Sequence, residues 1–340
     1  MPVVWTTIKQ KMSQKSTILV TGGAGYIGSH LCAYLSEHGH DVVAVDNFST
    51  GSRKNARWGR FYEADLRQPS AVEAVLKSEP GIDAVVHLAA LSDITESNAH
   101  PLLYEENNVR ASRQLIELML KAGITRIVFA SSCTIYGKPS ADPMSETHPV
   151  EPVSIYGANK AAVESMLRDD YADALNFAVL RFFVVAGFVP RFGLVRSRNH
   201  DRHLVPAIVN AVQRGAPAAV KVFGHDYQTV DGTCVRDFVH VSDVVEAIEL
   251  ALEQLRRRRV CEVFNIGSGT GRTVREVLRV SESIMGVPII PEAAARRAGD
   301  PPTLVANITR AKTQLGWKPH RSEFEDIVRT ESQTPGEDHG

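Results

Sequence analysis

Residues 16–46 read STILVTGGAGYIGSHLCAYLSEHGHDVVAVD, in the order strand, glycine-rich turn, helix, strand. The segments TILV and DVVAV are apolar at nearly every position, as expected for parallel strands that are buried on both faces. Between them, Ile27, Leu31 and Leu35 place apolar side chains on one face of a helix. The stretch therefore predicts a βαβ unit at the start of the fold.

The glycines of this turn, Gly22, Gly25 and Gly28, stand three residues apart. Glycines between a strand and a helix let the backbone approach a pyrophosphate, which the helix N-terminus then stabilises. Asp46 ends the second strand, where a carboxylate accepts hydrogen bonds from an adenosine ribose and repels a 2′-phosphate. The unit is thus predicted to bind NAD in preference to NADP. Asp65 is a candidate contact to the adenine, although an ordinary loop aspartate would look the same.

The alternation of strands and helices continues along the chain. Further strands and helices are predicted in turn over 60–65, 69–78, 83–90, 101–123, 126–132, 155–174 and 176–183. Repeated βα units indicate an α/β fold with a Rossmann-type doubly wound parallel sheet. After about residue 184 the pattern loosens and indicates a smaller mixed α/β substrate domain, with helices near 204–214, 242–255 and 273–286 and strands near 219–224 and 262–268.

The predicted domain division follows from this pattern. Its parts are a flexible N-terminal tail (1–16), an NAD-binding Rossmann domain (17–184, to which about 236–268 returns), a substrate domain (185–235 and 269–325) and a flexible C-terminal tail (326–340).

The composition excludes several classes of protein. The 340 residues carry 38 Lys and Arg against 39 Asp and Glu, so no general field favours a nucleic acid or an anionic membrane. No apolar run reaches the roughly 20 residues that cross a bilayer, and residues 1–16 make a poor secretory signal. The cysteines stand far apart without a CxxC pair, which argues against a metal site and for a reducing cytoplasm. They are Cys32, Cys133, Cys234 and Cys261.

The segment SIYGANK, residues 154–160, places Tyr156 and Lys160 on one face of a predicted helix. An ammonium beside a phenol lowers the tyrosine pKa, normally about 10, towards the range in which a general base works. Upstream, SSCTIYG supplies Ser131, Ser132 and Thr134 at the carboxyl end of a predicted strand, where ligands lie in this fold. One of these hydroxyls is a candidate to share a proton with Tyr156. Alone, a Tyr–Lys pair at this spacing would be an ordinary helix surface.

With these motifs together, the sequence resembles the extended short-chain dehydrogenase/reductase family over about residues 17–320. Within that family it is most similar to the UDP-sugar 4-epimerases of the UDP-glucose/UDP-galactose type. The strings that carry the resemblance are VTGGAGYIGSH, VDN, SSCTIYG, SIYGANK, FGHDYQTVDGTCVRDFVHVSDV, NIGSG and GDPP. The part DYQTVDGTCVRDFVHV is long and specific.

The resemblance implies NAD-dependent epimerisation of a UDP-hexose at C4. Tyr156 would take the proton of the 4-hydroxyl while hydride passes to NAD, the 4-keto sugar would rotate, and hydride would return to the other face. Ser132 would be the bridging hydroxyl, Thr134 would line the sugar pocket, and Lys160 would hold the nicotinamide ribose. The cofactor-binding residues so implied are Gly22, Gly25, Tyr26, Ile27, Gly28, Asp46, Asn47, Asp65, Leu66, Leu88, Ala89, Ala90, Asn107, Tyr156 and Lys160.

The UDP-sugar is expected to be held largely by residues of the second half of the chain. By the resemblance, Arg236 and Arg297 bind the diphosphate through their planar forks, Asp300 the uridine ribose, and Phe223 the uracil. A salt bridge to neighbouring chain is the alternative for Arg236. The candidate substrate-binding residues are Ser132, Thr134, Arg191, His203, Leu204, Phe223, Arg236, Arg297 and Asp300.

Several departures from the family pattern leave the sugar open. They are Val184 and His203 in place of asparagines, Ser92 in place of a lysine and Leu304 in place of a bulky tyrosine. Leu304 suggests room for a larger sugar, and Arg191 or Arg196 in the loop 187–203 would suit a uronate carboxylate. The alternatives to UDP-glucose and UDP-galactose are therefore UDP-glucuronate/UDP-galacturonate and UDP-N-acetylglucosamine.

Two further classes of protein fit the sequence less well. By the resemblance, a nucleotide-sugar dehydratase would carry an acidic pair at this strand end, where Cys133, Thr134 and Ile135 lie instead and offer no carboxylate to eliminate water. A non-catalytic NAD-binding protein would have no use for the set Ser132, Tyr156 and Lys160. The resemblance also implies a homodimer through the helices around 101–121 and 155–174, with no metal.

Overall fold

The computed structural model describes residues 15–137, 143–197, 203–215, 217–297 and 300–333. Most of the predicted N-terminal tail, 1–16, lies outside this range. The described strands are β1 (Thr17–Thr21), β2 (Asp41–Asp46), β3 (Arg60–Glu63), β4 (Ala84–His87), β5 (Arg126–Ser132), β6 (Asn176–Phe182), β7 (Val184–Ala186), β8 (Ala218–Phe223), β9 (Val235–His240), β10 (Cys261–Ile266), β11 (Gly271–Thr273), β12 (Ile289–Ala294) and β13 (Thr303–Leu304). The described α-helices are α1 (Tyr26–Glu37), α2 (Pro69–Ser78), α3 (Ile94–Ala99), α4 (Pro101–Glu105), α5 (Ala111–Lys121), α6 (Ile155–Asp169), α7 (Leu204–Gln213), α8 (Val241–Arg257), α9 (Val274–Met285) and α10 (Phe324–Ser332).

A seven-stranded sheet in the order β10-β6-β5-β4-β1-β2-β3 forms the centre of the molecule. All of its neighbouring strands run parallel. The strand order reverses between β1 and β4, which is the point at which ligands bind in doubly wound sheets. The predicted α/β fold class is confirmed.

Both faces of this sheet are buried, which explains the continuous apolar runs of its strands. On β1, Ile18 and Val20 face a core that includes Leu31 of α1. Leu19 faces the opposite core, which includes Leu115 of α5 and Val163 of α6. Because helices cover both faces, the ligand-accessible part of the sheet is its edge at the carboxyl ends of the strands.

The second half of the chain builds a smaller mixed region beside that edge. Strand β9 pairs in parallel with β7 and β13 and antiparallel with β11, and β8 pairs in parallel with β12. Helices α7, α9 and α10 pack around a core of their own, which includes Ile208, Val277 and Ile327. The division of the chain into two domains stays a prediction.

The predicted long helix over 101–123 is interrupted by a π-helical turn at Glu106–Arg110. The Asn108 amide explains the interruption, because it bonds both the N–H and the carbonyl of Leu91, each at 2.9 Å. Such turns are frequent at functional sites. The helix predicted over 155–174 ends at Asp169, and a turn with the buried Leu175 after it leads into β6.

The prediction of a flexible tail over 326–340 is wrong for its first part. Helix α10 buries Phe324, Ile327 and Val328, whose spacing places them on one helix face. The helix also fixes a distant loop, since Glu331 Oε2 accepts the Gly187 N–H at 2.9 Å and Thr330 Oγ1 accepts the Phe188 N–H at 3.2 Å. Residues 334–340 lie outside the described range.

Candidate functional site

A large cleft lies between the carboxyl edge of the sheet and the second region of the chain. Its volume is about 1270 Å³, more than the roughly 300–1,000 Å³ of a typical small-molecule pocket. One end is lined by the glycine turn and the ends of β2 and β4, and the other by β8, Arg236 and Arg297. The cleft therefore has room for two ligands placed end to end, with Ser132 and Tyr156 also on its wall.

The glycine turn forms a cradle that side chains would fill. Gly22 has φ +73°, and a Cβ there would lie 2.8 Å from the Ala89 nitrogen. A Cβ on Gly28 would lie 2.0 Å from the Gly22 carbonyl oxygen. Gly25 caps helix α1, so the first N–H groups of the helix face the cleft and favour an anion. Tyr26 and Ile27 line the cleft beside them.

Two aspartates, Asp46 and Asp65, line the same end of the cleft as the glycine turn. Asp46 ends β2, and its carboxylate accepts the N–H groups of Ala24 at 2.9 Å and Phe48 at 2.7 Å. Burial raises the pKa of Asp46, and these N–H donors oppose that shift. Asp65 has a pKa held well below its usual range, chiefly by its hydrogen bonds with Arg67. The further lining residues from the predicted cofactor set are Asn47, Leu66, Leu88, Ala89, Ala90 and Asn107.

The structure separates the serines that the sequence left as alternatives. Ser131 donates to Glu164 Oε1 at 2.5 Å, and Glu164 forms a buried ion pair with Arg181. Ser132 instead accepts from the Thr134 backbone N–H at 3.2 Å and from the Thr134 hydroxyl at 3.0 Å. All three hydroxyl residues line the cleft, but the Ser131 hydroxyl is committed to Glu164, whereas Ser132 and Thr134 are hydrogen-bonded to each other.

Tyr156 and Lys160 lie on α6, as their spacing predicts. Lys160 is only 4% exposed, and its Nζ donates to the Ala130 carbonyl at 2.7 Å. The same Nζ lies 5.9 Å from the centre of the Tyr156 ring. Both side chains line the cleft next to Ser132, so the phenol, the ammonium and the hydroxyl share one wall.

The expected acidification of Tyr156 is wrong for the ligand-free protein. Burial raises the pKa of the Tyr156 phenol, Cys133 adds to the rise, and the hydrogen bond with Ser132 opposes it. Burial also lowers the pKa of Lys160 to about 8. Desolvation is the largest influence on the Tyr156 pKa, so Tyr156 is a neutral phenol in the ligand-free protein.

The burial of Lys160 predicts a pH-dependent stability in the ligand-free protein. The folded state releases the Lys160 proton near the lowered pKa of about 8, whereas the unfolded chain keeps it up to the ordinary lysine pKa of 10.5. The unfolded state binds more protons in this window, so the wild-type free energy of unfolding rises with pH there. We expect Lys160→Met to be more stable than wild type near pH 7, with an advantage that shrinks between about pH 8 and 10.5.

Urea unfolding of both proteins across this pH range measures the difference. The matched control is Lys121→Met, because the Lys121 side chain is 71% exposed on α5. If the difference in the free energy of unfolding between wild type and Lys160→Met stays constant with pH, the lowered pKa of Lys160 is contradicted.

The opposite half of the cleft holds the nucleotide-binding candidates. Arg236 and Asp300 form an ion pair with each other, so the salt bridge foreseen as an alternative for Arg236 joins two cleft residues. The Arg297 guanidinium lies 4.1 Å from the centre of the Phe223 ring. His203 caps α7 and Leu204 begins it, and both line the cleft.

Two arginines of the loop, Arg191 and Arg196, are not brought to the cleft, which corrects the sequence analysis. Arg191 pairs with Glu37 of α1 at 2.9 Å on the surface. Arg196 is fully buried beside Glu331 and donates to Asn210. Neither lines the cleft, so Arg191 is not a substrate-binding residue in this structure. Of the other departures from the family pattern, Ser92, Val184 and Leu304 do line it.

Lys221 lines the cleft and was missed in the sequence. Strand β8 alternates, with Ala218, Val220 and Val222 in the core, so Lys221 shares the opposite face with Phe223. This period of two was the signal that could have located it.

Among the described residues, no group of His, Cys, Asp and Glu could hold a metal ion. None of the described helices combines the length and apolar character needed to cross a membrane.

Comparison with known proteins places this site in a family. Residues 18–267 match the model of the NAD dependent epimerase/dehydratase family. A Streptococcus mutans protein named UDP-glucose 4-epimerase is 40% identical over 314 residues, which are 92% of this chain and 94% of that protein. The crystal structure of UDP-glucose 4-epimerase from Brucella ovis in complex with NAD matches with a TM-score of 0.88 at 34% identity, covering 93% of this chain and 97% of that chain.

A second solved structure resembles the chain nearly as closely. UDP-glucose 4-epimerase from Bifidobacterium longum, in complex with NAD+ and UDP, matches with a TM-score of 0.86 at 32% identity, covering 94% of this chain and 97% of that chain. The family model spans most of the chain, and the matched proteins are covered almost in full. The chain therefore belongs to the NAD dependent epimerase/dehydratase family.

Proposed function

We propose that this protein is an NAD-dependent UDP-hexose 4-epimerase that interconverts UDP-glucose and UDP-galactose. The observation that carries the proposal is the single cleft that joins a dinucleotide cradle to a cationic nucleotide end, with Ser132 and Tyr156 on its wall. The Streptococcus mutans protein named UDP-glucose 4-epimerase is 40% identical to this chain. A cleft that has a dinucleotide cradle at one end and a cationic nucleotide end at the other suits an enzyme that holds its cofactor while a second nucleotide enters and leaves.

The cradle at the glycine turn fits NAD. Gly22 and Gly28 leave the space that a pyrophosphate backbone needs, and the N-terminus of α1 stabilises its charge. The Asp46 carboxylate accepts hydrogen bonds from the adenosine ribose hydroxyls. When bound, NAD supplies a reversible hydride acceptor and a positive charge that lowers the pKa of the nearby Tyr156 phenol.

The reacting hydroxyl of the sugar is handled by the chain's own side chains. Tyr156 Oη takes its proton and later returns it, and Ser132 Oγ, on the same wall of the cleft, shares that proton. Lys160, fixed by the Ala130 carbonyl, keeps a positive charge close to Tyr156 and holds the nicotinamide ribose. Thr134, bonded to Ser132, orients that serine at the wall of the sugar pocket.

The diphosphate and the nucleoside are held at the other end. Arg236 and Arg297 offer planar forks to the phosphate oxygens, while Asp300 accepts from the ribose and Phe223 flanks the uracil. His203 and Leu204 line the same end. In the ligand-free protein Arg236 is paired with Asp300, so both side chains are already oriented before the nucleotide arrives.

The neutral hexose is favoured over a uronate by the positions of Arg191 and Arg196. Arg191 and Arg196, which would suit a carboxylate, form their pairs outside the cleft. UDP-N-acetylglucosamine is the second candidate, because Leu304 lines the cleft and is less bulky than the tyrosine expected there. Incubation with each UDP-sugar and separation of the C4 epimers by NMR ranks them, and no turnover of any would remove the proposal.

Asp46 sets the expected cofactor preference. We expect Asp46→Ser to weaken NAD binding by about 10-fold and to improve NADP binding, because the variant loses the acceptor for the ribose and the charge that repels a 2′-phosphate. Fluorescence titration of the nucleotide-free protein with both cofactors measures the change. Asp41→Ser at the start of β2, where the carboxylate is partly exposed and pairs with Lys15, is the matched control. An unchanged ratio of the two affinities would contradict the role of Asp46.

We also propose a homodimer that uses α4, α5 and α6 and a location in the cytoplasm. Helix α4 presents Leu102 at 72% exposure and Leu103 at 37% beside α6, which suits burial against a second copy. Light scattering on the purified protein tests the dimer, and Leu102→Glu should shift it towards monomer.

A further inference from the structure

Two consecutive arginines at the nucleotide end of the cleft have different surroundings. Arg297 lines the cleft and lies over the Phe223 ring. The Arg296 guanidinium lies instead 4.2 Å from the centre of the Tyr227 ring. Phe223 ends β8 and Tyr227 lies in the loop that follows it, so both arginines pack on the start of one loop, one inside the cleft and one outside it.

Arg296 is fixed by two oxygens of a single residue. Its Nε donates to Asp226 Oδ1 at 2.6 Å, and its Nη2 donates to the Asp226 main-chain carbonyl. The planar fork of arginine makes both bonds at once. The two side chains are 44% and 67% exposed, so the pair adds little to global stability. What it fixes is the position of the chain at residue 296.

The space around this contact is filled. Gly224 has φ +81°, and a Cβ there would lie 2.5 Å from Tyr227 Cε2 and 2.8 Å from Arg296 Cγ. The Gly224 N–H donates to the Ala294 carbonyl at 2.9 Å, which ties the loop to the end of β12. Tyr227 is itself only 5% exposed. The Arg296 side chain is thus held on one side by a packed ring and on the other by Asp226.

The contact continues into the nucleotide end through the backbone. Arg297 follows Arg296 directly, and its carbonyl accepts the Asp300 N–H at 3.2 Å. The Asp300 carboxylate in turn pairs with Arg236. Arg297, the residue next to Arg296, is therefore linked through Asp300 to Arg236, and all three are proposed to bind the nucleotide.

We infer that Arg296 is a positioning residue for nucleotide binding: its contacts with Asp226 and Tyr227 hold Arg297 and Asp300 towards the ligand. The inference rests on the proposed function, since it takes the ligand to be a nucleoside diphosphate sugar. Without Arg296 the segment carrying Arg297 would have to be ordered when the nucleotide binds, which lowers affinity. The chemistry at Tyr156 is left unchanged.

The test measures UDP binding by calorimetry in wild type and variants that retain NAD. We expect Arg296→Ala to raise the Kd for UDP by about 5- to 10-fold, with a parallel rise in KM and a kcat within about 2-fold of wild type. Arg296→Lys keeps the charge but loses the planar fork, so its Kd for UDP should lie between those of wild type and Arg296→Ala. The double variant Arg296→Ala/Asp226→Asn should bind no more weakly than Arg296→Ala, because both changes remove one contact.

The matched control is Arg329→Ala, which removes a similarly exposed pair with Asp326 on α10. It should bind UDP as wild type does, and a loss equal to that of Arg296→Ala would overturn the inference. So would an unchanged UDP affinity in Arg296→Ala beside a clear loss in Arg297→Ala. Failure of the wild type to bind UDP would instead overturn the proposed function. If Arg296→Ala does not fold, Arg296→Lys and Asp226→Asn carry the same comparison.

Discussion

Replacing Tyr156 by phenylalanine will lower kcat by about 10³-fold, within the range that a positioned proton-transfer group contributes. The ring keeps its packing on the cleft wall, while the atom that takes the sugar proton is lost. KM for the UDP-hexose and the retention of NAD should change little, because neither depends mainly on the phenol oxygen. Epimer formation followed by NMR, together with the NAD content of the purified protein, measures the effect.

Tyr171→Phe provides the control for this substitution. Tyr171 follows the same helix, α6, and its hydroxyl contacts Arg113 and Glu117 at the surface. That variant should keep wild-type activity. A Tyr156→Phe enzyme with more than about a tenth of the wild-type kcat would contradict the proposed proton transfer and would favour a non-catalytic NAD-binding protein.

The second large effect is expected from Gly28→Ala, which should weaken NAD binding by about 100-fold or more. The added Cβ would lie 2.0 Å from the Gly22 carbonyl oxygen, so the whole turn has to move. Helix propensity alone would favour alanine by about 1 kcal/mol at this helical position. The steric clash and the gain in helix propensity have opposite effects. A loss of NAD affinity would therefore result from the clash in the cradle and not from a weakened helix.

Gly39→Ala separates backbone strain from the loss of the cradle. Gly39 has φ +83° with nothing near its Cβ position, so alanine there should lower the unfolding temperature and leave NAD affinity unchanged. The NAD content after purification and the Kd for added NAD decide between the outcomes. Wild-type NAD affinity in Gly28→Ala would show that the turn does not hold the cofactor.

Much of the fold and part of the site could be predicted from local patterns. Buried parallel strands are apolar on every residue, and a glycine turn between strand and helix leaves a short-range signature, so β1, α1 and β2 were recognisable at once. The spacing of Tyr156 and Lys160 on one helix face is equally local. Each of these features depends on residues within a few turns of one another.

Other features depend on contacts between residues that are far apart in the chain, and local sequence patterns do not reveal such contacts. Arg191 and Arg196 could not be placed, because Glu37 and Glu331, which lie beside them, are distant in the chain. Ser131 and Ser132 look alike until Glu164 binds the first of them. The direction of the Tyr156 pKa shift follows from burial in the assembled cleft. Helix α10 did leave a signal, since Phe324, Ile327 and Val328 repeat at helical spacing.

That helix has a consequence for synthesis of the chain. The backbone of Gly187 and Phe188 is bonded to residues 330 and 331, and the Gly187 carbonyl accepts the hydroxyl of Tyr26 beside the glycine turn. A nascent polypeptide cannot complete these bonds while residue 331 is still inside the ribosome, although the first βα units can already form. These bonds can therefore form only after α10 has left the ribosome, and a truncation before α10 would leave the backbone of Gly187 and Phe188 without them.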